Sequence, residues 1–148
     1  MTKFLVRFHR LAHNPDLPLP SPATEGAAGY DVRAAEEVVL EPGGTRAVAT
    51  GLVLELPPGV EAQVRPRSGL ALREGVVVPN SPGTIDPDFR GELKVILMNL
   101  SSHPVAIARG DRVAQLVFAR FERPSVVETD QVGETGRGGG GFGSTGRG

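Results

Sequence analysis

Turn signals divide this sequence into short β-prone runs, and this pattern constrains the fold more than any other feature. The runs cover residues 38–41, 45–56, 60–65, 76–78, 93–100, 105–108, 112–121 and 125–128. Nearly all are bounded by Pro, Gly, Asn or Asp, as in EPGG, LPPG, NSPG and RGD. Many short strands with a turn every ten or so residues indicate an all-β sandwich or barrel.

Outside these runs the chain predicts little regular structure. Residues 4–8 are β-prone and lead into a proline-rich segment, which is expected to be an extended loop. No segment of ten or more residues shows a clear helical period. One helical turn is expected at 68–73, with Ser68 as its N-cap.

Composition limits the class of protein. The 148 residues are 39% hydrophobic and 22% charged, which fits one soluble domain with a substantial core. Lys and Arg number 16 against 17 Asp and Glu, so net charge favours neither nucleic acid nor membrane as a partner. The absence of cysteine excludes disulfides, zinc–thiolate sites and cysteine nucleophiles. Arg7 and Arg10 interrupt the N-terminal apolar stretch, so a cytoplasmic location is expected.

Glycine is concentrated at the C-terminus, where residues 133–148 hold nine of the 20 glycines. We therefore expect a β-domain over 1–128 and a flexible tail over 129–148. The tail has no Gly-Lys-Ser/Thr, so it is not a P-loop, and its two arginines and single aromatic are few for a nucleic-acid arm. A mobile flap fits better, because glycine amides can approach phosphates closely while Arg137 supplies charge and Phe142 a flat face.

Two aspartates and one arginine–serine pair are candidates for chemistry. Asp31 and Asp86 both lie near turn signals, where Asp is also common for structural reasons. Arg67 and Ser68 lie at a loop-to-helix junction, which suits an anion site but also a plain helix cap beside a solvated Arg. The three histidines are scattered without ligand spacing, so any metal is expected to be a hard cation held by oxygens, such as Mg²⁺ with phosphate.

Five segments, taken in order, resemble the five motifs of the trimeric deoxyuridine triphosphatase (dUTPase) family. They are AGYDVRAA, RPRSGLA, NSPGTIDPDFRGE, RGDRVAQLVF and RGGGGFGSTG, and the resemblance runs from about residue 24 to the C-terminus. It implies a jelly-roll β-subunit, a homotrimer with active sites shared between subunits, and Mg²⁺-dependent hydrolysis of dUTP to dUMP and diphosphate. This reaction limits uracil incorporation into DNA and supplies dUMP for thymidylate synthesis.

The resemblance also assigns roles to residues. Asp86 is implied as the general base, and Asp31 as a ligand of Mg²⁺ through water. The implied substrate-binding residues are Arg67, Ser68, Gly69, Asn80, Gly83, Thr84, Ile85, Phe89, Gln115, Arg137, Phe142, Gly143, Ser144 and Thr145. One subunit is expected to supply the first, second and fourth segments, another the third, and the remaining one the tail. The family most often has Tyr where this chain has Phe89, a ring expected to exclude ribose.

Two other functions remain open from the sequence. A dCTP deaminase resembles this order of segments but carries a catalytic Glu on the strand after the Asp segment, where this chain has Ile96 in LKVILMN. A non-enzymatic β-trimer could instead bind nucleotides or RNA through its tail, and Asp86 would then be dispensable.

Overall fold

The computed structural model describes residues 3–148 as an all-β domain with one short helix. The elements are β1 (Arg7–Arg10), β2 (Ser21–Pro22), β3 (Tyr30–Arg33), β4 (Val38–Leu40), β5 (Thr45–Glu55), β6 (Val60–Arg65), α1 (Ser68–Glu74), β7 (Val76–Val77), β8 (Gly83–Ile85), β9 (Glu92–Asn99), β10 (Val105–Ile107) and β11 (Arg112–Arg120). Within this range, no helix is long and apolar enough to cross a membrane.

The strands form three antiparallel sheets around one core. The orders are β1-β5-β9-β7, β2-β3-β11-β6-β8 and β10-β4. In β6 the residues Val60, Ala62 and Val64 are buried, and in β9 Leu93, Val95 and Leu97 are, because alternate side chains point to one face of a strand. Both sets belong to the same hydrophobic cluster, so the two larger sheets enclose the core between them, as in a sandwich.

The predicted all-β class is confirmed, and the arrangement is consistent with a jelly roll. The predicted alternative of a closed barrel is wrong for residues 3–148. Closure requires the two end strands of one sheet to pair. Here β1 and β7 end one sheet, and β2 and β8 end the other.

Seven of the eight predicted runs from residue 38 onward coincide with strands to within one residue at each end. In the β-prone segment 4–8, strand pairing begins only at Arg7, the first residue of β1. The run at 125–128 forms no strand, because it pairs with no other segment of this chain; Val126 there is 91% exposed. The strands β2, β3 and β8 are not among the predicted runs. They lie in turn-rich sequence and form by pairing with other strands of the sheet.

The predicted helical turn forms, but the prediction that Ser68 caps it is wrong. Arg67 holds the extended backbone of an N-cap (φ −93°, ψ 126°), and its side chain makes no capping hydrogen bond. Ser68 is consequently the first helical residue. At the other end Gly75 adopts the left-handed conformation (φ 68°), which glycine adopts without a steric penalty, and its N–H donates to the last turn.

The consecutive strands β7 and β8 do not form a hairpin with each other. β7 pairs with β9 in one sheet, whereas β8 pairs with β6 in the other. The connection therefore crosses between sheets. Val76, Val78 and Ile85 are all buried in the shared core, so the chain spans that core instead of folding back on itself.

Asn99, which is fully buried at the end of β9, ties three segments together. Its Nδ2 donates to the carbonyls of Leu40 (2.9 Å) and His103 (2.7 Å), and its Oδ1 accepts from the N–H (2.8 Å) and hydroxyl (2.7 Å) of Ser101. The amide's two donors and two acceptor positions are all used, which is the condition for burying a polar group at low cost.

We predict that Asn99→Leu lowers the free energy of unfolding by about 3 kcal/mol, since it leaves buried backbone groups without partners. Urea denaturation monitored by circular dichroism measures this. Ser102→Ala, in the same exposed loop, is the control and should change stability by less than about 0.5 kcal/mol. A loss of less than about 1 kcal/mol in Asn99→Leu would contradict the role given to the Asn99 hydrogen bonds.

A surface ion pair fastens the loop after β1 to the turn before β11. Arg109 Nη2 donates to Asp16 Oδ1 at 2.6 Å. This hydrogen bond is the main cause that lowers the pKa of Asp16 below its ordinary value. A lowered folded-state pKa means that the pair stabilises the fold above the unfolded-state pKa and is lost as pH falls through the folded-state value.

We predict that the Asp16 carboxyl carbon titrates below the ordinary Asp range in an NMR pH series. Arg109→Ala should return its midpoint to that range. An unchanged Asp16 midpoint in Arg109→Ala would show that the pair does not form in solution.

Candidate active site

Three distant segments meet in register on the five-stranded sheet. Asp31 of β3 lies opposite Gln115 of β11, which in turn lies opposite Arg65 of β6. Directly after β6 the chain reaches Arg67 and enters α1. The predicted residues Asp31, Arg67, Ser68, Gly69 and Gln115 thereby line one cavity of about 380 Å³, hereafter the anion cavity.

Two arginines hold the carboxylate of Asp31 in the anion cavity. Arg67 Nε lies 3.4 Å from Oδ1 and Arg112 Nη1 lies 3.1 Å from Oδ2, while the Asp31 side chain is only 17% exposed. Arg67 also donates to the backbone carbonyl of Arg112 at 3.2 Å. Two guanidinium groups facing one carboxylate leave local positive charge, which suits a polyanion although the whole chain carries a net charge of −1.

Arg112 lines the anion cavity and is not among the residues predicted from the sequence. It lies in the RGDRVAQLVF segment, from which only Gln115 was selected. Its position could have indicated a role in the site. It follows the RGD turn directly and begins the predicted strand that also contains the candidate Gln115.

Gln115 is held by contacts on two sides. Its Nε2 donates to the carbonyl of Pro66 at 2.9 Å. A Cβ at Gly29 would overlap the Gln115 amide oxygen, so the glycine gives this side chain its space. The amide has a second N–H, which remains for a ligand in the anion cavity.

The predicted residues of the third segment line a second cavity of about 330 Å³, hereafter the nucleoside cavity. They are Asn80, Gly83, Thr84, Ile85, Asp86 and Phe89. Ala47 and Ile96 also line it, and sequence reasoning did not predict that contribution. A small, partly apolar cavity with a few polar groups suits one planar base and its sugar. In the described chain the two cavities share no lining residue.

Asp86 lies directly after β8, in a turn that its neighbours hold in place. The Phe89 N–H donates to the Asp86 carbonyl (3.2 Å), and Arg90 Nη1 donates to the carbonyls of Pro87 (2.7 Å) and Phe89 (3.1 Å). The Asp86 side chain is exposed, and among residues 3–148 no side chain donates a hydrogen bond to it. Asp86 also borders a larger groove of about 760 Å³, so its carboxylate is open to solvent.

One chain cannot bring Asp86 to the anion cavity. Ile85 lies opposite Ala62, so Asp86 follows near the start of β6, whereas Arg67 lies beyond its end. The strand rise from residue 61 to 66 is about 17 Å. Arg67 and Asp86 of the same chain therefore lie too far apart to act on one phosphorus atom.

The predicted tail residues form a third, separate group. Arg137, Phe142, Gly143, Ser144 and Thr145 line neither cavity of the described chain, and the Phe142 ring is fully exposed. Local bonds shape the tail: Arg137 Nε donates to the Gly140 carbonyl (2.7 Å), and the Ser144 N–H donates to the Gly141 carbonyl (3.0 Å). The bond to the Gly140 carbonyl uses Nε of Arg137 and does not involve its terminal nitrogens, Nη1 and Nη2.

Comparison with known proteins places this geometry in one family. A family model described as dUTPase matches residues 16–146. Two relatives named deoxyuridine 5′-triphosphate nucleotidohydrolase are similar: that of Methylocella silvestris is 56% identical over 95% of this chain and 91% of its own, and that of an Anaeromyxobacter species is 58% identical over 90% of each.

Solved structures agree on the fold. A glycine-to-serine mutant of the Staphylococcus bacteriophage 80alpha dUTPase, solved with dUpNHpp, superimposes with a TM-score of 0.87 at 24% identity, covering 98% of this chain and 100% of the other. Since the family model spans most of the sequence and the relatives exceed half identity, the chain belongs to the dUTPase family.

Proposed function

We infer that the protein hydrolyses dUTP to dUMP and diphosphate and is therefore a dUTP diphosphatase. The observation that carries this inference is the pairing of β3, β11 and β6, which assembles an arginine-lined anion cavity from the first, second and fourth family segments. The third segment builds a cavity of nucleoside size beside the exposed Asp86. The two cavities match the two halves of a nucleoside triphosphate.

The deaminase alternative finds no support in the nucleoside cavity. Ile96 lines it at the position where that chemistry needs an acid/base. Glu92 also lines the cavity, but its Oε1 accepts from the Gly51 N–H at 2.9 Å and is in contact with His13 Nε2. The Glu92 carboxylate thus links β9 to β5 and to the loop after β1, and these contacts occupy it.

Three copies of the chain are proposed to complete each active site. One copy supplies Asp31, Arg67, Ser68, Gly69 and Gln115, a second supplies the nucleoside cavity with Asp86, and a third supplies the tail over 129–148. The separation along β6 supports this division, since Asp86 and Arg67 must come from different copies to meet. The tail supports it too, because in its own chain it lines neither cavity.

Asp86 acts as the general base in the proposed mechanism. Its carboxylate accepts a proton from a water as the water oxygen bonds to the α-phosphorus. The bond from that phosphorus to the α–β bridging oxygen breaks, and diphosphate leaves. Because a carboxylate is a weak base, the phosphorus must be strongly activated, and Arg67 and Arg137 do so by stabilising the charge that develops on the phosphates.

The donor set fits Mg²⁺. Asp31 lines the anion cavity with a carboxylate, the ligand type that this hard cation prefers, and each of its oxygens also contacts an arginine, Arg67 or Arg112. Residues 3–148 contain no cluster of three or more His, Asp or Glu that could cage a metal. Asp31 would hold the ion through water, with substrate phosphates completing the shell, as Mg²⁺ commonly does. When bound, the ion would neutralise charge on the triphosphate.

The nucleoside cavity is proposed to select deoxyuridine. Backbone groups of residues 83–85 and the Asn80 amide would read the uracil edge, and a base with the wrong pattern would leave them unpaired. The confined space would reject the thymine methyl group. The Phe89 ring, which lines the same cavity, would cover the C2′ position and exclude the ribose hydroxyl.

We predict that Asp86→Asn lowers kcat for dUTP by about 10²- to 10⁴-fold with little change in KM, since Asn keeps the size of the side chain but cannot accept the proton. Diphosphate release in the presence of Mg²⁺ measures this. Asp88→Asn, in the same turn but outside the nucleoside cavity, is the matched control and should retain activity.

The same assay separates the alternatives. Ammonia released from dCTP by the wild-type protein would indicate a deaminase. Release of neither product would indicate a binding module. Full activity of Asp86→Asn on dUTP would assign the base to another group.

We predict that a chain ending at residue 132 keeps its fold and oligomeric state but loses most of its dUTPase activity. The removed residues contribute nothing to the hydrophobic core, so folding should not depend on them. Circular dichroism, mass measurement in solution and diphosphate release give the three readouts. Activity equal to that of the full chain would make the tail a mere appendage.

A further inference from the structure

The ring of Phe89 lies against the backbone of Gly91. A Cβ built on Gly91 would lie 2.6 Å from Cζ and 2.9 Å from Cε2 of that ring. Carbon atoms in contact are normally about 3.5–4.0 Å apart, so any side chain at 91 must displace the ring. Gly91 is not among the residues with positive φ, so its backbone conformation is open to alanine. The obstacle to a side chain is the ring.

The backbone of Phe89 cannot easily move to relieve such a clash. Its N–H donates to the Asp86 carbonyl at 3.2 Å, and its own carbonyl accepts from Arg90 Nη1 at 3.1 Å. With the Phe89 N–H bonded to the Asp86 carbonyl, the ring can respond by rotating to another rotamer. The ring is 47% exposed, so space for that rotation exists on the solvent side.

Two other glycines of the site, Gly83 and Gly69, differ in this respect. A Cβ at Gly83 would meet the Asn80 amide nitrogen at 2.9 Å, and one at Gly69 would meet Arg73 Nη2 at 2.7 Å. Both atoms are far ends of polar side chains, which can shift by small rotations. An aromatic ring is rigid beyond its Cβ, so a methyl group at 91 displaces the whole face that Phe89 turns to the nucleoside cavity.

We propose that Gly91 is a positioning residue that sets sugar specificity: its missing side chain lets the Phe89 ring lie where it lines the nucleoside cavity and excludes a 2′-hydroxyl. The proposal rests on the proposed function, because it assigns this cavity to the deoxyuridine of dUTP.

The test compares Gly91→Ala with Gly26→Ala. Gly26 also lacks positive φ and has nothing within 4 Å of a built Cβ, so it is a matched control. We expect Gly91→Ala to lower the ratio of kcat/KM for dUTP to kcat/KM for UTP by about tenfold, chiefly through a higher kcat/KM for UTP, because the displaced ring no longer excludes the 2′-hydroxyl. Gly26→Ala should leave that ratio within about twofold of the wild type. An unchanged ratio in Gly91→Ala would overturn the proposal.

A Phe89→Ala background shows whether Gly91 acts through the ring. There, adding Gly91→Ala should change the ratio by less than about twofold, because the group it displaces is gone. An equal loss in both backgrounds would overturn the proposal. So would failure of Gly91→Ala to fold, checked by thermal melting, since that outcome would give Gly91 a purely structural role.

NMR of the Phe89 ring in nucleotide-free protein gives a readout that does not depend on activity. The ring resonances should move in Gly91→Ala and stay in place in Gly26→Ala; an unmoved ring would overturn the proposal. If the wild-type protein does not hydrolyse dUTP, the proposed function fails, and the ring resonances still decide whether Gly91 positions Phe89.

Discussion

The antiparallel pairing of β3, β11 and β6 is the interaction on which the rest of the structure depends. It brings Asp31, Gln115 and Arg65 side by side from distant parts of the chain. The core sets this register, because Ala114 and Leu116 are completely buried and successive side chains of a strand alternate between faces. A slip by one residue would turn Gln115 into the core and Leu116 toward the ligand. Packing energy thus fixes the geometry of a polar site.

The same sheet also separates two groups of candidate site residues. β6 carries the arginine–serine segment beyond its end, while β8 pairs along it and delivers Asp86 near its start. Within one chain the length of β6, about 17 Å from residue 61 to 66, lies between these groups. Assembly of several copies is the proposed solution, and it would make activity depend on association as well as on folding.

Glycine has different roles in the two parts of the molecule. In the tail, most built Cβ atoms would meet nothing within 4 Å, so glycine there leaves the chain free to adopt other conformations. At residues 29 and 91, a Cβ would collide with the side chains of Gln115 and Phe89, which are themselves candidate binding residues. These two glycines leave the space in which other side chains lie. Composition alone does not distinguish such a glycine from one that makes the chain flexible.

Local sequence determined the all-β class, the bounds of seven strands and the helical turn after Arg67, because alternation and turn residues act over a few positions. The candidate site residues come instead from the resemblance of five segments to a known family. Long-range burial decided the rest. It placed β7 and β8 in different sheets, left residues 125–128 unpaired within the chain, and brought Arg112 to Asp31. Such pairings depend on which distant surfaces a chain buries together, and no local pattern encodes that choice. For this reason the sequence offers the candidate residues and, through the family resemblance, their expected division between subunits, whereas the separation of Asp86 from Arg67 along β6 is a property of the tertiary fold.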